Sequence, residues 1–315
     1  MNISKTDFQG DIDFPLCPVC ESNSWETVYR GNIRDGVFGK WRNSEVRRCG
    51  GCGVDRLAES ACLGVEAYRT TEYRNRLGQD HDASRHFSTH DELARFTLET
   101  LWPVSMRGKT VADVGCGGGA LLDHLRGVAK KILAIEPAIP FSDSLRERGY
   151  TWFPGTREAA VQFKDKVDIA LSTQVIEHVS NPRTFLEEIS HLLAPNGIAV
   201  ISTPNRRDIL MELLPDDFPR FFYRTQHRWA FDSDSLSRCA VLAGLAVAEI
   251  RHVHRYGIAN TMHWLKECKP RGRDPLGPLD GTIDKHWQAW LEDKGRADNV
   301  YIILKKRNMG CGERT

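Results

Sequence analysis

The sequence has almost no net charge: 43 Lys and Arg stand against 42 Asp and Glu in 315 residues, leaving +1 overall. No global field therefore draws in nucleic acid or an anionic membrane, and a nucleic-acid role would need a local patch. Long hydrophobic runs are missing too. The longest nearly unbroken apolar stretch, "VLAGLAVA" at 241–248, falls far short of the roughly 20 residues that span a bilayer, so no membrane insertion is expected. "MNISKTDFQGDIDFP" at the N-terminus has no apolar leader core, which reads as a cytoplasmic protein. Internal repeats and low-complexity tracts are absent as well, which excludes a repeat architecture.

What the chain does have is nine cysteines, which should stay reduced in the cytoplasm and so point to metal binding or redox chemistry before disulfides. Four of them form two C-x2-C pairs, Cys17-Pro-Val-Cys20 and Cys49-Gly-Gly-Cys52, separated by 28 residues. That spacing lets two thiolates of one tight turn face a tetrahedral ion, and two such turns complete a four-thiolate zinc site. The intervening residues exceed the usual linker of about 15–20 for this pattern. A redox dithiol needs only one pair, at a helix start in a βαβ context that this region lacks. Cys17, Cys20, Cys49 and Cys52 are therefore expected to hold structural zinc in a small zinc-ribbon-like module at 1–60. "WETVYRG" and "EVRRC" read there as hairpin strands. Residues 28–56 carry seven basic and three acidic side chains, a charge suited to phosphate groups but more often a solvated surface.

The second constellation is "KTVADVGCGGGALLDHLRG" at 109–127: a short apolar strand, a glycine-rich turn and apolar residues at helical spacing. Bare backbone at such a turn lets a ligand approach closely and leaves helix N–H groups free for it. No Gly-Lys-Ser/Thr follows these glycines, which disfavours Walker-type phosphate binding. "KKILAIEPA" supplies a second strand ending in Glu136, where a carboxylate can accept hydrogen bonds from ribose hydroxyls, so an adenosine-containing ligand is favoured. The glycine pattern alone leaves a dinucleotide-dependent dehydrogenase open, because Gly115, Gly117 and Ala120 also satisfy that fingerprint.

With "VDIALSTQVIEHVSNPRTFLEEISHLLAPNGIAVISTPN" at 167–205, the chain resembles the class I S-adenosylmethionine-dependent methyltransferases over about residues 90–255. The resemblance implies an α/β fold: a Rossmann-like, doubly wound, seven-stranded sheet with an antiparallel last strand. Strands are predicted near 110–115, 131–136, 150–153, 167–173, 197–203, 246–253 and 299–306. It implies S-adenosylmethionine as cofactor, with Asp113, Gly115, Gly117 and Gly119 in the first motif, Glu136 at the ribose, and Thr173, Gln174 and His178 near the methionine end. His178 is read as structural or cofactor-facing before base. The turn "WFPGTREAA" lacks the acidic residue that many relatives place near adenine.

The domain plan is thus 1–60 zinc module, 61–100 helical connection and 101–308 methyltransferase domain, with insertions at about 206–231 and 256–298 expected to form the acceptor pocket. Tyr68, Tyr73 and Arg74 are read as a packing helix before a cover for the cofactor. Methyl transfer needs alignment first; if a base is required, His227, then His263, then Tyr223 are the candidates. The expected partner is a small-molecule acceptor. The pairing of a cysteine-rich module with this domain is similar to sugar methyltransferases, which implies a sugar nucleotide or another polysaccharide or natural-product precursor. An RNA methyltransferase is the rival enzyme, disfavoured by charge and by "STQV" in place of an Asn/Asp-Pro-Pro-aromatic motif; a non-catalytic cofactor-binding scaffold is the third reading. Oligomeric state is left open. The cysteines are expected to fold a separable module whose loss would spare cofactor affinity.

Overall fold

Among the described residues the chain forms eleven strands, most of them β-prone runs between turn residues. They are β1 (Trp25–Arg34), β2 (Trp41–Cys49), β3 (Asp55–Leu57), β4 (Thr110–Val114), β5 (Lys131–Ile135), β6 (Thr151–Phe153), β7 (Val167–Thr173), β8 (Leu193–Pro204), β9 (Trp229–Ala230), β10 (Leu245–Val253) and β11 (Asn299–Lys306). The structure is a computed structural model, and it describes residues 13–79, 83–101, 104–273 and 281–307. Most of the N-terminal stretch, part of the second predicted insertion and residue 308 lie outside the described residues.

Seven strands form one sheet in the order β10-β11-β8-β7-β4-β5-β6. β4 to β8 pair in parallel, while β11 runs antiparallel to both β8 and β10. Side chains alternate between two cores as the pleat requires: Ala112, Val114 and Ala170 face one, Val111, Ile169 and Leu171 the other. This is the predicted doubly wound α/β architecture with its antiparallel insertion. The chain builds β4, β5 and β6 in one direction and returns to the other side of β4 for β7 and β8. The strand order therefore reverses between β4 and β7, and such a switch point leaves a crevice at the strands' C-terminal ends.

Side-chain caps mark the start of several helices. Asn181 accepts from Thr184 N–H at 3.1 Å ahead of the helix Pro182–Leu192. Asp232 and Ser235 form a capping box at the start of Ser233–Leu242. "ALLDHLRG" is less helical than its pattern predicts: only Ala120–Asp123 is α-helix, and i-to-i+3 bonds such as Leu125 N–H to Leu122 carry the chain onward.

The N-terminal residues make a second, four-stranded sheet, β1-β2-β3-β9. Its last strand comes from the 206–231 segment, paired through Asp55 with Ala230 and Arg56 with Trp229. Cys17, Val19, Cys49 and Val54 pack in the same core as Trp229, Phe231, Leu236 and Cys239 of the α/β part. The cysteine turns thus pack into the core of the large sheet, which corrects the expectation of a separable module, while Ile33, Val46, Leu57 and Ala230 of the small sheet cluster with Tyr223 in a core of their own. Fully buried Asp55 accepts from Arg48 Nε at 2.7 Å and Arg206 Nη1 at 2.8 Å, and Arg206 Nη2 reaches Asp232 at 2.6 Å. Burial would raise Asp232, but Arg206 and the Ser235 hydrogen bonds outweigh it and hold the carboxyl below its usual range.

Arg206→Ala strips one buried carboxylate of its guanidinium and leaves the other with Arg48 alone, a loss of about 3–5 kcal/mol. Hydrogen exchange should then accelerate together in β1–β3 and in β10. Faster exchange confined to the N-terminal sheet would contradict a shared core.

Candidate active site

The glycine-rich turn follows β4 directly. Gly115, Gly117 and Gly119 take φ values of 84°, 54° and 83°, a region that side chains resist. Space demands glycine as well, since a Cβ on Gly115 would lie 2.3 Å from Val175 Cγ2. Glu136, at the end of β5, is 8% exposed, and its carboxylate accepts from Gly117 N–H at 2.7 Å and Ala138 N–H at 2.9 Å. Burial pushes Glu136 up against the pull of these N–H groups. Burial, and then Glu136, raise Asp113 to about 7.

These groups open on a cavity of about 430 Å³, within the rough 300–1,000 Å³ range of small-molecule sites. Every residue predicted for the cofactor lines it except Gly119, which caps the short helix Ala120–Asp123 instead. Gln174 lies in the left-handed region at φ 58°, a strain of about 1–2 kcal/mol for a non-glycine residue. Its amide nitrogen is anchored on Asn299 at 2.9 Å. Thr156, in the turn after β6, bonds Glu188 instead of entering the cavity.

The roof is the part that sequence reasoning undervalued. Tyr68, Tyr73 and Arg74 line the cavity rather than forming a plain packing helix. Arg74 Nη2 stands 2.9 Å from where a Cβ on Gly117 would be. His86 and His90, from the helix Ala83–Leu101, stack at 4.0 Å and complete the cover. His86 Nε2 accepts from Gly118 N–H at 3.2 Å, and burial, followed by His90, Arg74 and Arg148, pulls His86 down to about 3. Their i, i+4 spacing, which puts both rings on one helix face, was the available signal.

His178 sits beneath Tyr68 and Tyr73 with ring centroids 5.4 and 5.6 Å away. Its Nδ1 lies 2.7 Å from the Gln226 carbonyl oxygen, which can only accept, so Nδ1 carries the proton. Burial leads the effects that lower His178 to about 4. Glu177, raised by burial to about 7, accepts from Thr203 Oγ1 at 3.0 Å. Glu177, His178 and His227 bring donor atoms within 4.8 Å of one another, but Arg224 acts on both histidines and lowers them, a field hostile to a metal cation.

The three predicted bases fall outside the cavity lining. His227 packs edge-on against His178 at 4.8 Å and borders only a void of about 10 Å³. His263 lies on the helix Ile258–Glu267, whose Trp264 buries against Phe218 and Phe221 at 5.0 and 4.9 Å. Tyr223 is buried in the inter-sheet seam with its hydroxyl on Asp55 at 3.1 Å, and burial and then Asp55 raise it well above the ordinary phenol range. A phenol so placed is structural. Among the described residues, neither predicted insertion lines this cavity, and 206–231 is committed to the N-terminal sheet.

Away from the cavity, the four cysteine sulfurs lie within 4.8 Å of one another, with Cys17–Cys52 at 3.7 Å and Cys20–Cys49 at 3.4 Å. Zinc–sulfur bonds of about 2.3 Å imply tetrahedral edges of roughly 3.8 Å, so the set fits such an ion. The two turns match: Glu21 N–H bonds Cys17 O and Gly53 N–H bonds Cys49 O, at 2.7 and 2.9 Å, each donor at positive φ. Gly51 is bare because a Cβ would lie 2.8 Å from Cys20 Sγ.

The profile of a family described as "Methyltransferase domain" matches residues 84–250, more than half of the chain. The chain belongs to this methyltransferase family. The matched domain is similar to the ubiquinone biosynthesis O-methyltransferases of Azorhizobium caulinodans, 28% identical over 39% of this chain and 53% of that protein, and Caulobacter vibrioides, 31% identical over 38% and 50%. The chain thus spans about half the length of the curated relatives it matches. In fold, the methyltransferase domain is similar to a Haloferax volcanii structure titled as a complex of the Trm112 methyltransferase activator and a methyltransferase. That match has a TM-score of 0.50 at 18% identity and covers 73% of this chain and 96% of that one. No described helix is long and apolar enough to cross a membrane.

Proposed function

We propose that the protein transfers a methyl group from S-adenosylmethionine to a small-molecule acceptor. The observation that carries this reading is the convergence of the bare Gly115–Gly117 turn, the buried Glu136 carboxylate and the roof of Tyr73, Arg74 and His86 on one cavity at the strand-order reversal. When bound, S-adenosylmethionine supplies a methyl group activated by its sulfonium.

The chain's own residues hold and orient. Glu136 offers its carboxylate to ribose hydroxyls, and the N–H of Gly117 is available to the ligand once that carboxylate turns away. Arg74, over the turn, is placed to pair with the cofactor's carboxylate. Asp113 favours a cationic ligand when ionised. Tyr68 donates to the Gln226 carbonyl at 2.7 Å, as His178 does, so the cavity wall beneath Tyr73 is rigid, and rigidity of this kind aligns acceptor with methyl group. His178, with Nδ1 committed, is a positioning residue. The names of the curated relatives favour a hydroxyl acceptor, and the cysteine-rich module favours a sugar nucleotide or related precursor. The RNA and scaffold readings have no comparable observation behind them. The cysteine cluster is assigned a structural zinc ion and the domain plan follows, with the module fused to residues 206–231.

Incubation with methyl-labelled S-adenosylmethionine and fractionated metabolites should label a small molecule. Label in RNA alone, or bound cofactor never consumed with any fraction, would overturn the reading. Cofactor affinity should fall as pH drops from 8 to 6, by up to about tenfold per unit, because protonation of Asp113 near 7 removes a charge that favours the cation. Asp113→Asn should flatten that profile; an unchanged slope would discount the assignment. Elemental analysis should find one zinc per chain. Cys49→Ser should lose it and lower the melting temperature of the whole chain in a single transition, whereas an unaffected α/β core would speak against fusion.

A further inference from the structure

Arg34 ends β1 and pairs with Arg224 in a parallel bridge, with Arg34 N–H on Tyr223 O at 3.1 Å and Thr225 N–H on Arg34 O at 3.0 Å. Neighbouring strands lie about 5 Å apart, and paired residues present their side chains to the same side. Two guanidiniums are thereby set side by side, an arrangement that is destabilising in itself and more so when partly buried.

Elsewhere in this molecule buried guanidiniums are neutralised. Arg206 has Asp55 and Asp232, Arg56 and Arg228 share Glu59, and Arg255 has Asp298. Among the described residues no carboxylate pairs with Arg34 or Arg224, and the Nε of each is buried without a hydrogen-bond partner. Asp35 is adjacent in sequence but accepts from Thr225 Oγ1 at 2.8 Å and lies 3.6 Å from Arg76. Arg34 rests its guanidinium over Phe221 at 4.2 Å, which fixes its plane without supplying a counter-charge. Burial lowers both guanidiniums; Arg224 lowers Arg34 further, while Tyr73 and Glu177 act on Arg224 in the opposite sense without forming an ion pair with it.

The position of the pair matters. Arg224 acts electrostatically on Tyr73, which lines the cavity, and on Glu177 behind His178. Neither arginine lines the cavity itself, but Arg224 stands two residues before Gln226, whose carbonyl accepts from the cavity-lining Tyr68 and His178, so the pair sits where the 206–231 segment passes behind that wall and meets β1.

We propose that Arg34 and Arg224 form an anion subsite for the acceptor, and that the acceptor carries a phosphoryl group bearing two negative charges. This deepens the methyltransferase reading, on which the word acceptor rests. Two planar forks and two charges match a phosphomonoester or diphosphate, which each guanidinium can bind through two oxygens.

The test is calorimetric titration of the full chain with inorganic pyrophosphate and uridine 5′-diphosphate, with malonate as the dicarboxylate arm and S-adenosylhomocysteine as a parallel probe. Saturable binding of the phosphate probes, weakened at least tenfold in Arg34→Gln and in Arg224→Gln while S-adenosylhomocysteine affinity holds, is the expected result. Absence of saturable phosphate binding, equal binding to both variants, or malonate binding as tightly as pyrophosphate would overturn it. Where a variant loses S-adenosylhomocysteine binding by misfolding, the wild-type chain decides: pyrophosphate should protect Arg34 and Arg224 from phenylglyoxal, and equal modification with and without it refutes the subsite. Phosphate binding without any S-adenosylhomocysteine binding would instead sink the methyltransferase reading and leave this one standing.

Discussion

The reversal of strand order between β4 and β7 is the constraint on which the site depends. Parallel strands leave their C-terminal ends together, and the reversal sends the following segments apart. What lines the resulting gap is decided by the first turn after β4. Because Gly115 and Gly117 carry no side chain, the backbone itself is the floor, and the ends of β5 and β7 contribute Glu136 on one side, Thr173 and Gln174 on the other. The other side of the gap is covered by described residues within 65–79 and 86–97.

The second dependence is the fusion of the two sheets. A small cysteine-rich sheet has too little apolar surface to stand alone, and here it borrows β9 and the Trp229–Phe231–Leu236 cluster from the larger unit. The ion network through Asp55, Arg206 and Asp232 fixes the register of that seam. As a consequence, β1 ends where the 206–231 segment passes, bringing Arg34 and Arg224 together.

Much of this was legible in the amino-acid sequence. The five parallel strands of the large sheet were readable, because a buried parallel strand is a short apolar run between turn residues and the glycine turn fixes where β4 ends; the antiparallel completion by β10 and β11 was expected from the family resemblance. Most of the residues expected at the cofactor, named from their places at strand ends and from the family resemblance, line the one cavity. Three features were not legible. The roof was only partly read: Tyr73 and Arg74 were ranked as packing before cover, and His86 and His90 were passed over, because their meaning comes from being folded over a turn some 30 to 40 residues later in the chain. The bases were misjudged because near-neutral chemistry says nothing about access: His227 stands behind His178 and Tyr223 is consumed by Asp55. β9 was invisible because two residues carry no periodicity, and only pairing with β3 makes them a strand.

The most direct measurement is a crystal structure of the protein with S-adenosylhomocysteine. The account places the nucleoside between the Gly115–Gly117 turn and Glu136, with the Glu136 carboxylate released from Gly117 N–H to the ribose and Tyr73, Arg74 and His86 closing over the ligand. A ligand bound elsewhere, or one in the cavity that leaves Glu136 on Gly117 and touches none of the roof, would contradict it.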